Sequence, residues 1–97
     1  MTINKELSGG KLTLKVGGRL DTNTSPELEA ALKLDGVTEV VFNFSELEYI
    51  SSAGLRVLMT VQKTMISVGG KLTVASPNEM VRGVLDMTGL SNVFEIA

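Results

Sequence analysis

The residues of this chain best placed to do chemistry are two adjacent hydroxyls, Ser51 and Ser52. They follow a strand-like run of Val40, Val41, Phe42 and Phe44 that leads into a short loop. They precede Ala53-Gly54-Leu55-Arg56 and a long apolar-rich segment that closes at Gly69-Gly70. That pattern puts the pair where a helix begins. The first N–H groups of a helix have no acceptor inside it, and its dipole turns positive at that end. A hydroxyl there can cap the helix, worth about 1 kcal/mol, or carry an added anion that the free N–H groups stabilise. On this reading Ser52 is the candidate phosphate acceptor, with Ser51 as the alternative. Gly54 is the third residue of interest. A glycine in a first helical turn costs up to about 1 kcal/mol against alanine, which suggests close approach of another surface. Asp21, in the glycine-framed segment Gly17-Gly18-Arg19-Leu20-Asp21, is the fourth; its plain alternative is an aspartate that bonds its own turn backbone.

Other chemistries lack their parts. The 97 residues contain no cysteine and no histidine, which excludes disulfides and thiolates and removes the commonest general base and metal ligand. No second acid stands at an informative spacing from Asp21, and only a lysine could activate a serine. No glycine pair is followed by Lys-Ser or Lys-Thr in phosphate-loop spacing, and no calcium-loop pattern occurs. We therefore assign no catalytic residue, metal ligand or cofactor, and expect a binding protein, not an enzyme. A net charge of −2 with nine scattered basic residues argues against a nucleic-acid partner. The amino terminus lacks the design of a signal peptide, and no apolar run approaches the roughly 20 residues that span a bilayer. A cytoplasmic protein without membrane insertion is expected. Hydrophobic residues make up 43% of the chain, enough for one core and one domain over residues 1–97.

The elements that position these residues read as α/β. Strands are expected over 2–7 and 11–16, joined antiparallel through Ser8-Gly9-Gly10, with Leu12, Leu14 and Val16 on one face. Gly17-Gly18-Arg19-Leu20-Asp21 breaks that pattern. Thr24-Ser25-Pro26-Glu27 reads as a helix start, with Thr24 or Ser25 as cap and Thr24-x-x-Glu27 as a capping box. Leu28, Ala31 and Leu32 share its inner face. Val37 to Phe44 is nearly continuous in apolar residues, as in a strand covered on both faces. Residues 53–68 form an apolar helix with a polar stripe of Arg56, Thr60, Lys63 and Ser67, either buried on two sides or greasy toward a partner. Lys71 to Ala75 is a strand. Ser76-Pro77-Asn78-Glu79 repeats the start signal with Ser76 as cap, and Met80, Val81, Val84 and Leu85 face inward from the helix it opens. Gly89 stops that helix, and Val93, Phe94 and Ile96 supply a last short strand. Alternation after residue 36 implies right-handed βαβ units and a mixed sheet of four to five strands with about three helices packed against it.

Asn43-Phe-Ser-Glu-Leu-Glu-Tyr-Ile-Ser-Ser-Ala-Gly-Leu-Arg-Val-Leu58, taken with the strand before it, resembles the signature of STAS domains, in particular bacterial anti-sigma-factor antagonists. Gly18-Arg-Leu-Asp21 with Thr22-Asn23-Thr24 is similar to that family's first loop, Val68-Gly-Gly-Lys-Leu72 to its helix-to-strand turn, and Val84-Leu-Asp-Met-Thr-Gly-Leu90 to its third helix. The resemblance covers almost the whole chain. It implies a single STAS-like domain over residues 1–97 that binds a serine-kinase anti-sigma factor and is released when that kinase phosphorylates it. A metal-dependent serine phosphatase would reverse the modification. By position the acceptor is Ser52, with Asp21, Thr22, Asn23, Thr24, Ser51, Ala53, Gly54, Leu55 and Arg56 on the partner-binding surface. The implied protein is a monomer or weak dimer. Three positions depart from the sporulation-type pattern: Ser51 stands where aspartate is frequent, Ala53 where serine or threonine is common, and Arg56 where glycine is often found. A second implication of the family is a constitutive subunit of a membrane lipid-transport assembly, in which Ser52 is a simple cap and the apolar helix a permanent docking face.

Overall fold

Strands and helices alternate along residues 1–97 of the computed structural model. β1 (Thr2–Ser8) and β2 (Lys11–Leu20) form an antiparallel hairpin closed by Gly9-Gly10, with Ser8 opposite Lys11 and Gly9 at φ +61°. α1 (Ser25–Ala31) leads to β3 (Glu39–Ile50), α2 (Ser52–Ser67), β4 (Lys71–Ala75) and α3 (Glu79–Met87). A 3-10 turn at Leu90–Asn92 and the short β5 (Glu95–Ile96) complete the chain. The sheet order is β1-β2-β3-β4-β5, and every pair after the first is parallel. Because β2, β3 and β4 run the same way, the turns leading into α1, α2 and α3 all emerge at one end of the sheet. The expected mixed sheet with helices packed against it is the one observed.

Two segments taken for breaks are strand. β2 runs on through Gly17-Gly18 to Leu20, and β3 runs on through Ser45–Tyr49 to Ile50, the two pairing through Gly17–Glu46, Arg19–Tyr49 and Leu20–Ile50. The ladder survives because its register shifts between Lys15 and Gly17 and again between Gly18 and Arg19. On the other side of β2, a Cβ at Gly17 would lie 2.7 Å from the Thr2 hydroxyl oxygen of β1; Gly18 takes φ +88°. On β3 the Asn43 Oδ1 accepts the Ser45 N–H at 3.0 Å, and the buried positions change phase from Phe44 to Leu47.

β3 is also covered on one face only, not two. Val40, Phe42 and Phe44 are buried, whereas Val41 and Asn43 are half-buried and Ser45 is exposed. The inner row continues laterally, with Leu12 and Leu72 beside Val40 and Leu14 and Val74 beside Phe42. Leu28, Val57, Leu58, Val61, Met65, Val81 and Leu85 from the three helices close this one core. The other face keeps water and is accordingly polar, with Thr13, Lys15, Asn43 and a Lys71 ammonium 3.9 Å from both Glu39 and Glu95. Surface ion pairs of this length contribute little.

The helix starts also differ from expectation. Thr24 occupies the N-cap of α1 but makes no side-chain cap bond, because its hydroxyl is committed to the preceding turn. At α3 the cap is Asn78, not Ser76: its Oδ1 accepts the Val81 N–H at 2.8 Å while its Nδ2 donates to the Leu47 carbonyl at 3.1 Å, which ties α3 to β3. Ser76 lies in the left-handed region at φ +56°, whereas a capping residue takes extended backbone. Val81 and Leu85 are buried and Val84 is half-buried, but Met80, expected inward, is 42% exposed, one turn before the inner stripe settles. Gly89, at φ +78°, ends α3 region as expected.

Two helix glycines give a stability test with opposite signs. A Cβ on Gly54 would sit 2.8 Å from both Ile50 Cγ1 and Leu20 Cγ, whereas one on Gly83 of α3 would meet nothing within 4 Å. Overpacking costs about 1–3 kcal/mol, more than the roughly 1 kcal/mol that alanine gains in helix propensity. We expect Gly54→Ala to lower the urea midpoint and Gly83→Ala to raise it by about 0.4–1 kcal/mol equivalent. A Gly54→Ala protein as stable as the parent would contradict the packing described.

Candidate functional site

The site forms where β2 and β3 end side by side. Leu20 pairs with Ile50, and the Ser51 N–H donates to the Leu20 carbonyl at 2.9 Å, so the turn holding Asp21 and the entry to α2 are locked together. Ser51 is the N-cap of α2, with extended backbone at φ −104°, ψ 178°, and Ser52 is the first helical residue, one position earlier than expected. The two hydroxyls have opposite fates. Ser52 is exposed. The Ser51 Oγ is sealed from solvent, makes no cap bond and has no hydrogen-bond partner. Gly54 is buried against Leu20 and Ile50, so the close approach inferred for it is to the protein's own strands. Ala53 and Leu55 are half-buried and Arg56 is exposed.

Asp21 organises the neighbouring turn. Its Oδ1 accepts the N–H groups of Asn23 at 3.0 Å and Thr24 at 3.1 Å, the self-capping turn that was its plain alternative. The Thr24 hydroxyl accepts the Asp21 N–H at 2.9 Å and donates to the Arg19 carbonyl at 2.8 Å. The buried Ser25 hydroxyl donates to the Asp21 carbonyl at 2.6 Å. This network, and not a Thr24–Glu27 box, supplies the start of α1. Partial desolvation pushes the Asp21 carboxyl up, but the Thr24 and Asn23 N–H groups, the Thr24 hydroxyl and the Arg19 guanidinium together outweigh it and hold the group below its ordinary value. Arg19 Nε lies 3.6 Å from Asp21 Oδ2, and its guanidinium stacks 4.3 Å above the Tyr49 ring. Thr22 and Asn23 are exposed at the tip of the turn. Asp21 is therefore a fixed anion on the same end of the molecule as the Ser52 hydroxyl.

Reasoning from sequence gave no part to Tyr49 or to Arg19 as its partner. The pairing depends on the two register shifts in β2, and nothing in the order of residues marks where those fall. From the Asp21 turn α1 runs beside α2, leaving a groove of about 240 Å³ lined by Glu29, Leu32, Leu34, Val57, Thr60 and Val61. No helix is long and apolar enough to cross a membrane.

Residues 2–97 match the family model of the STAS domain. This chain belongs to the STAS domain family. Among curated relatives it is 32% identical over 100 residues to BtrV of Bordetella bronchiseptica, which carries the name of an anti-sigma factor antagonist, covering 100% of this chain and 86% of that protein. It is 28% identical over 100 residues to the anti-sigma F factor antagonist of Paenibacillus polymyxa, covering 99% and 86%. Among solved structures, the STAS fold seen here overlays SpoIIAA in its unphosphorylated form with a TM-score of 0.87, at 21% identity, over 99% of this chain and 88% of that one. An anti-sigma factor antagonist from Mycobacterium paratuberculosis overlays with a TM-score of 0.85, at 26% identity, over 98% and 83%.

The lowered Asp21 value fixes a sign. Its contribution to folding is complete above the unfolded value near 3.8 and is lost as pH falls through the lower folded value. We expect Asp21→Ala to lower the thermal midpoint at pH 7, and Asp21→Asn, whose side-chain oxygen accepts the same two N–H groups, to recover part of the loss. The gap between the parent and Asp21→Asn should narrow on acidification below about pH 4. Thermal melts of the three proteins from pH 2.5 to 7 decide it, and an Asp21→Ala protein that melts with the parent throughout would remove the turn from the argument.

Proposed function

We propose that residues 1–97 act as one domain, a phospho-regulated anti-sigma factor antagonist whose acceptor is Ser52. In this reading the unmodified protein docks on an anti-sigma factor that is also a serine kinase. Phosphorylation of Ser52 ends the complex, and a metal-dependent phosphatase restores it. The single observation that carries the reading is an exposed Ser52, the first residue of a sixteen-residue helix, beside a turn held by a fixed carboxylate. The antagonist names of relatives at 32% and 30% identity support the same class of partner. Thr22, Asn23, Ala53, Leu55 and Arg56 supply the surface around Ser52; Asp21 and Thr24 hold its loop in shape, and buried Gly54 sets the helix.

The switch works by charge. A phosphate adds about −1.5 to −2 charges at neutral pH. Within the free protein that charge meets unpaired helix N–H groups and displaces no buried contact, so the fold tolerates it. Within a complex the same dianion must be desolvated next to Asp21. A loss of about 2.7 kcal/mol already weakens docking a hundredfold.

Ser52→Ala should bind the host's anti-sigma kinase with ATP present or absent. Ser52→Asp should bind at least about a hundredfold more weakly while melting within about 0.5 kcal/mol of the parent. Calorimetric titration of both variants measures this, and equal affinities would refute the switch. Mass spectrometry of the protein after incubation with that kinase and ATP should place one phosphate, on Ser52.

A further inference from the structure

Resting on the reading of Ser52 as acceptor, we propose that Arg56 is the built-in counter-ion of the phosphorylated state: it is free while Ser52 is bare and captured by the phosphate once Ser52 is modified. Four observations lead there. Ser52 and Arg56 are four residues apart on α2, the spacing that brings side chains onto one helix face about 5–6 Å apart at Cβ. Long helical side chains lean toward the amino terminus, so a guanidinium at position 56 is within reach of the turn that carries Ser52. Both residues are exposed, so neither must break a packing contact to meet.

The third observation is that Arg56 has no carboxylate within 4.0 Å, whereas the other arginines, Arg19 and Arg82, are each paired with one. α2 offers it none, since Ser52–Ser67 contains no aspartate or glutamate. The fourth is that the first turn of α2 carries no acid. A helix start favours negative charge and disfavours positive charge, so this helix holds a cation one turn in with nothing anionic ahead of it. Phosphorylated Ser52 supplies that missing anion.

Most charged side chains of β2, β3 and the Asp21 turn near this end are already engaged. Asp21 is held by Arg19 and by its own turn, Arg19 also stacks on Tyr49, and Glu46 lies 3.7 Å from Lys15. Glu48 is exposed and unpaired, and repels the phosphate without competing for it. Capture has a consequence for the switch. Modification then not only adds an anion to the docking face but withdraws an unpaired cation from the same helix face, so a partner loses a group it could use and gains one it must desolvate.

The test uses the full chain with phosphoserine placed at position 52 during translation, so that neither kinase nor partner is needed. Phosphorus NMR followed from pH 4 to 8 reads the second ionisation of the phosphate, which lies near about 6 when unperturbed. We expect that ionisation to fall at least about 0.3 pH units lower in the parent than in Arg56→Gln, the shift that corresponds to a helical ion pair of roughly 0.5 kcal/mol. Arg56→Lys should restore part of it, and about 1 M salt should collapse it, as the screening length falls to about 3 Å. Identical ionisation in the parent and Arg56→Gln would overturn the proposal. Docking on the anti-sigma kinase, measured separately with the same phosphoprotein, keeps the two readings apart. Loss of docking without the NMR shift overturns the capture alone; the shift without loss of docking overturns the switch and leaves the capture standing.

Discussion

One close contact governs the geometry of this molecule: the first turn of α2 lies directly on Leu20 and Ile50, with room at position 54 for a hydrogen and nothing larger. Each helical residue turns about 100°, so Ser52, two positions earlier, points about 200° away from the face that Gly54 presses on the strands. The same arithmetic places Leu58, Val61 and Met65 inward with Gly54, and Arg56, Thr60 and Lys63 outward with Ser52. The burial of the helix follows that division. Ser52 is thus exposed because Gly54 is buried, and the exposure of the candidate acceptor is a consequence of core packing.

The contact also explains why the two serines cannot exchange roles. Ser51 is held by its backbone, N–H to the Leu20 carbonyl and carbonyl to the Leu55 N–H, while its hydroxyl is sealed without a partner. An unpaired buried hydroxyl carries a standing cost of about 1–3 kcal/mol.

Element order and type were legible from residue pattern: the Gly9-Gly10 hairpin and three helices stand where apolar spacing and turn residues put them, and the last strand is shorter than expected, Glu95–Ile96, with Val93 and Phe94 ahead of it. What failed were readings that treated a local signal as decisive. Gly17-Gly18 reads as a break, yet a parallel neighbour with two register shifts keeps it in the ladder. Thr24-x-x-Glu27 and Ser76-Pro77 both read as helix caps, yet Asp21 and Asn78 do that work because each reaches a tertiary or turn partner that spacing cannot display. Val37 to Phe44 reads as doubly buried, yet Val41 faces the open side of the sheet. The site was legible for the reason the fold was: a serine pair, a glycine and a long apolar run define a helix start by local chemistry. The Arg19–Tyr49 stack was not, because it rests on long-range register.

These facts bear on how a charge on Ser52 can act. The residue is exposed, and the turn beside it is fixed by hydrogen bonds that do not involve its hydroxyl. Modification therefore has no lever on the core, and a mechanism through refolding lacks the contacts it would need to break. A docked partner changes the balance. Water that screens the phosphate and Asp21 in the free protein is removed, and placing a charge in a dry interface costs several kcal/mol unless it is fully paired. That exceeds the roughly 2.7 kcal/mol a hundredfold switch requires. A single arginine one turn along can offset part of the dianion but not all of it, so capture by Arg56 tempers the charge within the free protein and still leaves a net anion for the interface to reject.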